Sequence, residues 1–210
     1  STEFSKMFNK LGEVRITESA LSYSSVKPHV TTAIMLTRDG QLVASMPLHN
    51  IDSKFDALSS KQIDELKIFD HHKIPKLEEA LNEFPDLSFQ IDFKTNEVVN
   101  PALDVINKTN SFERVCVASF NSSRLNRVRK SFPELCISMG PNEVAKTLIS
   151  SLGLYKGNID GDCLQIPMSY YGIKVVTRRF VDYVKSKGLK IMVWTINDVE
   201  TFDHLIELNV

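Results

Sequence analysis

A chain of 210 residues with 42% hydrophobic positions carries enough apolar material for one substantial core and little for two, so a single domain over residues 1–210 is expected. Its 25 basic and 26 acidic side chains leave a net charge of −1, which gives no net field toward nucleic acid or an anionic membrane surface. No run approaches the roughly 18 apolar residues of a membrane span, and the polar start STEFSKMFNK has no signal-peptide apolar region, so a soluble cytoplasmic protein is expected.

In chain order, a strand is predicted at Thr31 to Leu36 (TTAIML) and a second at Leu42 to Met46. Asp39-Gly40 between them is a hairpin signal. Helices follow at Ser60 to Phe69 and Pro75 to Phe84, with Pro75 in the first turn and Glu78 and Glu79 near the positive helix end. Next come a strand at Leu87 to Phe93 (LSFQIDF), a helix at Asn100 to Lys108, a strand at Arg114 to Ser119 (RVCVAS) and a helix at Ser123 to Ser131. The rhythm continues with a strand at Leu135 to Met139, a helix at Asn142 to Leu152 stopped by Gly153, and a strand at Cys163 to Pro167. A helix at Thr177 to Lys187 stopped by Gly188, a strand at Leu189 to Thr195 (LKIMVWT) and a helix at Val199 to Leu208 complete it. Several strands are apolar on both faces, as strands covered on both sides must be. Repeated βα units imply a parallel sheet with right-handed crossovers, either open or closed into a barrel. Neither GxGxxG nor GxxxxGK[ST] occurs, so the open nucleotide-binding sheet has no fingerprint.

Some conspicuous residues have plain readings. Cys116, Cys136 and Cys163 form no CxxC pair and have no histidine at metal-ligand spacing, so buried free thiols in a reducing compartment are expected. Asp70, His71 and His72 are adjacent in sequence, and adjacent side chains rarely converge on one ion; a solvated loop is expected. Arg124, Arg127, Arg129 and Lys130 fall mainly on the polar face of their helix, which reads as a solvated surface.

Four segments, in order, resemble the glycerophosphodiester phosphodiesterase family. They are LTRDGQLV (Leu36 to Val43), IPKLEEALNEFPDLSFQIDFK (Ile74 to Lys94), VCVASFNSSRLNRVRKSFP (Val115 to Pro133) and the stretch Gln165 to Asn197 with IPMSYYGIKVVTRRFV and KGLKIMVWTIND. WTIND is the most recognisable. The resemblance implies a TIM-type (β/α)8 barrel of the phospholipase-C-like phosphodiesterase superfamily, with its site at the C-terminal strand ends. It further implies a divalent metal, magnesium or calcium, held by carboxylates, and two histidines as general acid and base. A phosphodiester repels nucleophiles, so a cation must neutralise it while a proton reaches the leaving alkoxide. Where the family continues through Gly-Val-Asp-Gly into a last strand, this chain stops at Leu208, Asn209 and Val210, which leaves two expectations: a barrel incomplete at its C-terminus as given, or one that closes differently.

Carried over residue by residue, the resemblance leaves most of that machinery without counterparts. The first histidine falls on Lys10 in Lys10-Leu11-Gly12, and the second on Met46, followed by Pro47. His49, three residues further on, is a weak substitute. Two metal-ligand positions fall on Thr31 and Ala33; a neutral hydroxyl cannot replace a carboxylate and alanine has no donor. Asp92, Phe93 and Lys94 stand where the family has Glu-x-Lys, and Ser119 and Trp194 are retained. Asp92 is the one remaining metal-ligand candidate; Lys94 and Trp194 are candidates for contact with a phosphate-bearing small molecule, against a plain Asp92–Lys94 charge pair and simple rim packing. The reading is a degenerate family member without a catalytic pair. The alternatives are an active metal-dependent enzyme releasing glycerol 3-phosphate and an alcohol, recruiting His49 with Glu13 or Glu18, and a non-catalytic binding or scaffold protein. No oligomeric state follows from the sequence.

Overall fold

The computed structural model describes residues 29–36, 42–45, 58–66, 73–194 and 196–210. The chain divides into two compact units, Ser1–Val115 and Cys116–Val210.

In the first unit, β1 (His29–Leu36) pairs antiparallel with β2 (Leu42–Ser45) and parallel with β3 (Ser88–Phe93). Leu36 stands opposite Leu42, the register a hairpin requires; its Asp39-Gly40 turn lies outside the described residues. Phe89, Gln90, Ile91 and Phe93 are all buried: Phe89, Ile91 and Phe93 alternate along one face of β3, and Gln90 is covered on the other. Helices α1 (Ser60–Glu65), α2 (Leu77–Glu83) and α3 (Val99–Lys108) bury Ile63, Leu77, Leu81, Leu103 and Ile106 at the three- and four-residue spacing of one helix face. Ser59 and Gln62 form a reciprocal capping box on α1. One sequence expectation is corrected: Lys76 is the N-cap of α2, so Pro75 precedes the cap rather than filling the first turn. Its fixed φ serves the entering chain instead.

In the second unit, β4 (Val115–Ala118, opening at the unit boundary) pairs parallel with β5 (Cys136–Ile137). A bridge from Ser138 to Cys163 joins β5 to β6 (Cys163–Ile166), and β6 pairs parallel with β9 (Lys190–Val193). A short hairpin, β7 (Ser169–Tyr170) and β8 (Ile173–Lys174), was not anticipated; it turns through Tyr171 and Gly172, both at positive φ. Its two-residue strands are too short for a period-2 signal. Helices α4 (Ser122–Ser131), α5 (Pro141–Ser151), α6 (Arg178–Ser186) and α7 (Val199–Glu207) lie between and after the strands. Helix α5 begins one residue earlier than its pattern suggests because Pro141 takes the first-turn position. Leu164 and Ile166 of β6 pack with Phe180, Val181 and Val184 of α6 and Leu205 of α7 in one buried cluster.

Four helices terminate in the same way. After α3, α5, α6 and α7, residues Asn110, Gly153, Gly188 and Asn209 adopt positive φ. The next backbone N–H reaches back to Ile106, Ile149, Val184 and Leu205 respectively, the Schellman arrangement that satisfies otherwise unpaired helix carbonyls. Gly153 and Gly188 therefore act as the expected stops, and asparagine supplies the other two.

Asp198 caps α7 by accepting from the Thr201 backbone N–H at 2.7 Å, and this bond holds its carboxyl below the ordinary carboxylate value. Because the folded value is depressed, the stabilisation is present above the unfolded pKa of about 3.9 and is lost as pH falls through the folded one. Asp198→Asn, which keeps a capping oxygen, is expected to flatten the acid limb of a melting-temperature profile without moving the neutral limb. An unchanged acid limb would remove Asp198 from the explanation. Among the described residues no helix is long and apolar enough to cross a membrane.

Candidate functional site

Asp92 and Lys94 both lie at the C-terminal end of β3 on the first unit. Lys94 Nζ is 2.8 Å from Asp92 Oδ2, so the charge pair expected from their spacing is formed. Asp92 Oδ1 is buried and lacks a hydrogen-bond partner, which leaves one carboxylate oxygen with unmet acceptor capacity. The parallel ladder sets Ala33 beside Asp92 and Thr31 beside Gln90. The two positions that the resemblance assigned to metal ligands thus fall on the strand adjoining Asp92, occupied by an alanine and a threonine. Lys10, Glu13, Glu18, Met46, His49 and the Asp70 to His72 run lie outside the described residues.

On the second unit, Ser119 ends β4 and is buried. Its Oγ accepts from Arg124 Nη1 at 2.7 Å and from the Asn121 backbone N–H at 3.3 Å. This corrects one expectation: Arg124 is not part of a solvated face but is itself buried, turned back along α4 onto the strand end. Its helical position does fall near the polar side, and a periodicity argument cannot see a hydrogen-bond acceptor supplied by the preceding strand. Arg127 and Lys130 remain exposed. Beside this pair, Ser122 Oγ donates to the buried Glu143 carboxylate at 2.7 Å. Gly140 permits the approach, since a Cβ there would lie 2.5 Å from Ser122 Oγ and 2.9 Å from Glu143 Oε2. Trp194, just past β9, is 40% exposed and meets Phe120 edge-on, with ring centroids 6.0 Å apart. Together they form an aromatic ledge at the C-terminal ends of β4 and β9.

The sequence model of the glycerophosphoryl diester phosphodiesterase family matches residues 34–210. The chain belongs to this family. A relative from Mycobacterium tuberculosis named "Probable glycerophosphodiester phosphodiesterase 2" is 25% identical over 193 residues, covering 87% of this chain and 73% of the relative. The crystal structure of a glycerophosphodiester phosphodiesterase from Parabacteroides distasonis superposes with a TM-score of 0.68 at 18% identity, over 92% of this chain and 80% of that one. A glycerophosphodiester phosphodiesterase from Agrobacterium tumefaciens gives a TM-score of 0.62 at 16% identity, over 91% and 85%. Family and likenesses together show the fold, an α/β TIM-type barrel of the phospholipase-C-like superfamily.

Family members act on phosphodiesters with a divalent metal, and the described residues do not fit a magnesium or calcium ion. Such ions take six or more oxygens, waters included, and are held by more than one carboxylate or by a carboxylate with substrate phosphate. Here a single carboxylate oxygen is open, its twin is bound by Lys94, and the adjoining strand adds no acid. Among the described residues, the one convergence of three or more histidine, cysteine, aspartate or glutamate ligands is made of thiols: Cys116, Cys136 and Cys163. The sequence gives no direct sign of that convergence. Each cysteine stands near the start of a strand, and only the order β4, β5, β6 turns separations of 20 and 27 residues (116 to 136, 136 to 163) into adjacency.

Proposed function

We propose that this chain is a degenerate glycerophosphodiester phosphodiesterase, a single barrel domain over residues 1–210 that keeps the scaffold and a remnant pocket without phosphodiester turnover. The observation that carries this reading is the register of β1 against β3, which sets Ala33, with no donor atom, beside Asp92. A family-type metal there would lack the second carboxylate, and the positions of both histidines hold Lys10 and Met46. Without a cation to neutralise the phosphodiester, and without the acid–base pair, what remains is binding. In this reading Lys94, on the first unit, is a candidate to offer positive charge to a phosphate-bearing small molecule, and Trp194, on the second, is a candidate apolar contact for one. The family match, continuous from residue 34 to residue 210, supports treating the chain as one domain.

Asp92 Oδ1, buried without a partner, favours a second reading: an active enzyme that gathers its remaining ligands and a general base from His49, Glu13 or Glu18 and releases glycerol 3-phosphate and an alcohol. One assay separates the two. With glycerophosphocholine or a chromogenic phosphodiester and magnesium, calcium or manganese, the rate is expected to stay at the metal-free background. Metal-dependent turnover that Asp92→Ala abolishes would establish the second reading instead.

A further inference from the structure

The three thiols meet on one face of the second unit's sheet. The ladder sets Cys116 beside Cys136, and the next bridge sets Ser138 beside Cys163. Leu164 and Ile166 point into the buried cluster with α6 and α7, and strand alternation therefore sends Cys163 and Gln165 to the opposite face. The Gln165 amide nitrogen, 4.0 Å from Cys116 Sγ, lies on that same face. Cys116 and Cys163 Sγ are 3.5 Å apart, and all three sulfurs lie within 4.8 Å of one another. A disulfide would need about 2.05 Å, and all three cysteines are free. A tetrahedral zinc ion with Zn–S bonds of about 2.3 Å places its sulfurs about 3.8 Å apart, within the spread observed.

We propose that Cys116, Cys136 and Cys163 form a binding site for one zinc ion. None of the three is among the positions the family resemblance assigns to metal or acid–base work. Their chemistry selects a thiophilic cation over magnesium or calcium, because thiolates are soft ligands and hard ions prefer oxygen. Binding breaks three S–H bonds; each electron pair stays on its sulfur and each proton leaves to solvent, so three thiolates and Zn²⁺ carry a net charge of −1. Lys190, beside Cys163 in the β6–β9 ladder, is placed to offset it. A water would complete the fourth position.

Cobalt(II) is the probe, because sulfur-to-cobalt charge transfer reports thiolate ligation directly. Titrated into the reduced full chain, it is expected to develop that band with an endpoint at one equivalent, and added zinc to abolish it. Cys136→Ser should weaken binding by more than the roughly 10–100-fold that loss of an outer-shell partner costs, whereas Asp92→Ala should leave the band intact. If Cys136→Ser does not fold, X-ray absorption of the zinc-loaded wild-type protein decides, with three sulfur neighbours at about 2.3 Å expected. A folded wild-type protein that shows no charge-transfer band, or a folded Cys136→Ser variant that binds cobalt as tightly as the wild type, would overturn the proposal.

Discussion

Phe180→Ala is expected to lower the free energy of unfolding by about 3–5 kcal/mol, the range for deleting a buried aromatic ring. The Phe180 side chain has no exposed surface and belongs to the cluster formed by Leu164, Ile166, Val176, Val181, Val184 and Leu205. The loss has two parts, the transfer free energy of the ring and the cavity its neighbours cannot close. Backbone capping adds little to it, because the Thr177 Oγ bond to the Phe180 N–H survives the substitution. The measurement is a urea titration at neutral pH with the m-value compared between variants. A loss below about 1 kcal/mol would show that this cluster relaxes around the gap instead of being held to its shape.

The second large effect concerns Arg114, which reaches back across the first unit. Its guanidinium donates to the carbonyls of Leu81 at 2.6 Å, Phe84 at 3.0 Å and Leu87 at 3.2 Å, and to Ser111 Oγ at 2.8 Å. It also stacks over the Phe89 ring, 5.5 Å from its centroid. Two of those carbonyls belong to the final turn of α2 and its C-cap residue Phe84, where a cation both satisfies unpaired acceptors and opposes the negative end of the helix dipole. Burial pushes the guanidinium below its ordinary value, and Asp86 raises it again. Arg114→Met is expected to cost about 2–4 kcal/mol, since it orphans several acceptors while keeping the stem. Arg114→Lys should recover only part of this, because an ammonium lacks the planar fork that meets several carbonyls together. If lysine restored full stability in the same urea titration, charge rather than geometry would be the operative property.

Most elements were legible in the sequence for a common reason: each buries one stripe or both faces, and burial leaves a period. Helix α6 shows it in Phe180, Val181 and Val184, and β3 in the alternation of Phe89, Ile91 and Phe93. Boundaries shifted where a single residue overrode the pattern, as at Pro75, displaced by the Lys76 cap, and at Pro141. The family was legible because WTIND, the Ser-Phe strand end and the acid-x-Lys strand end occur in the right order. The candidate site was less so. Local spacing located Asp92 and Lys94 and their charge pair, since two residues at i and i+2 on a strand share a face. Arg124 was missed because its partner Ser119 belongs to a different element. The thiol cluster was missed because it depends on which strands are neighbours, a property of topology that no window along the chain contains.

Trp194 is the chain's sole tryptophan, and its placement determines what light can report about this protein. Its ring sits at a strand end against Phe120, in partial contact with water, rather than within the apolar interior around Phe180. Intrinsic emission excited at the indole is therefore a local gauge of the ledge, sensitive to anything that settles on or displaces the two rings. Loss of the interior packing registers in that signal only once it reaches the rim. A fluorescence trace and a far-ultraviolet dichroism trace recorded on the same sample consequently follow different parts of the molecule.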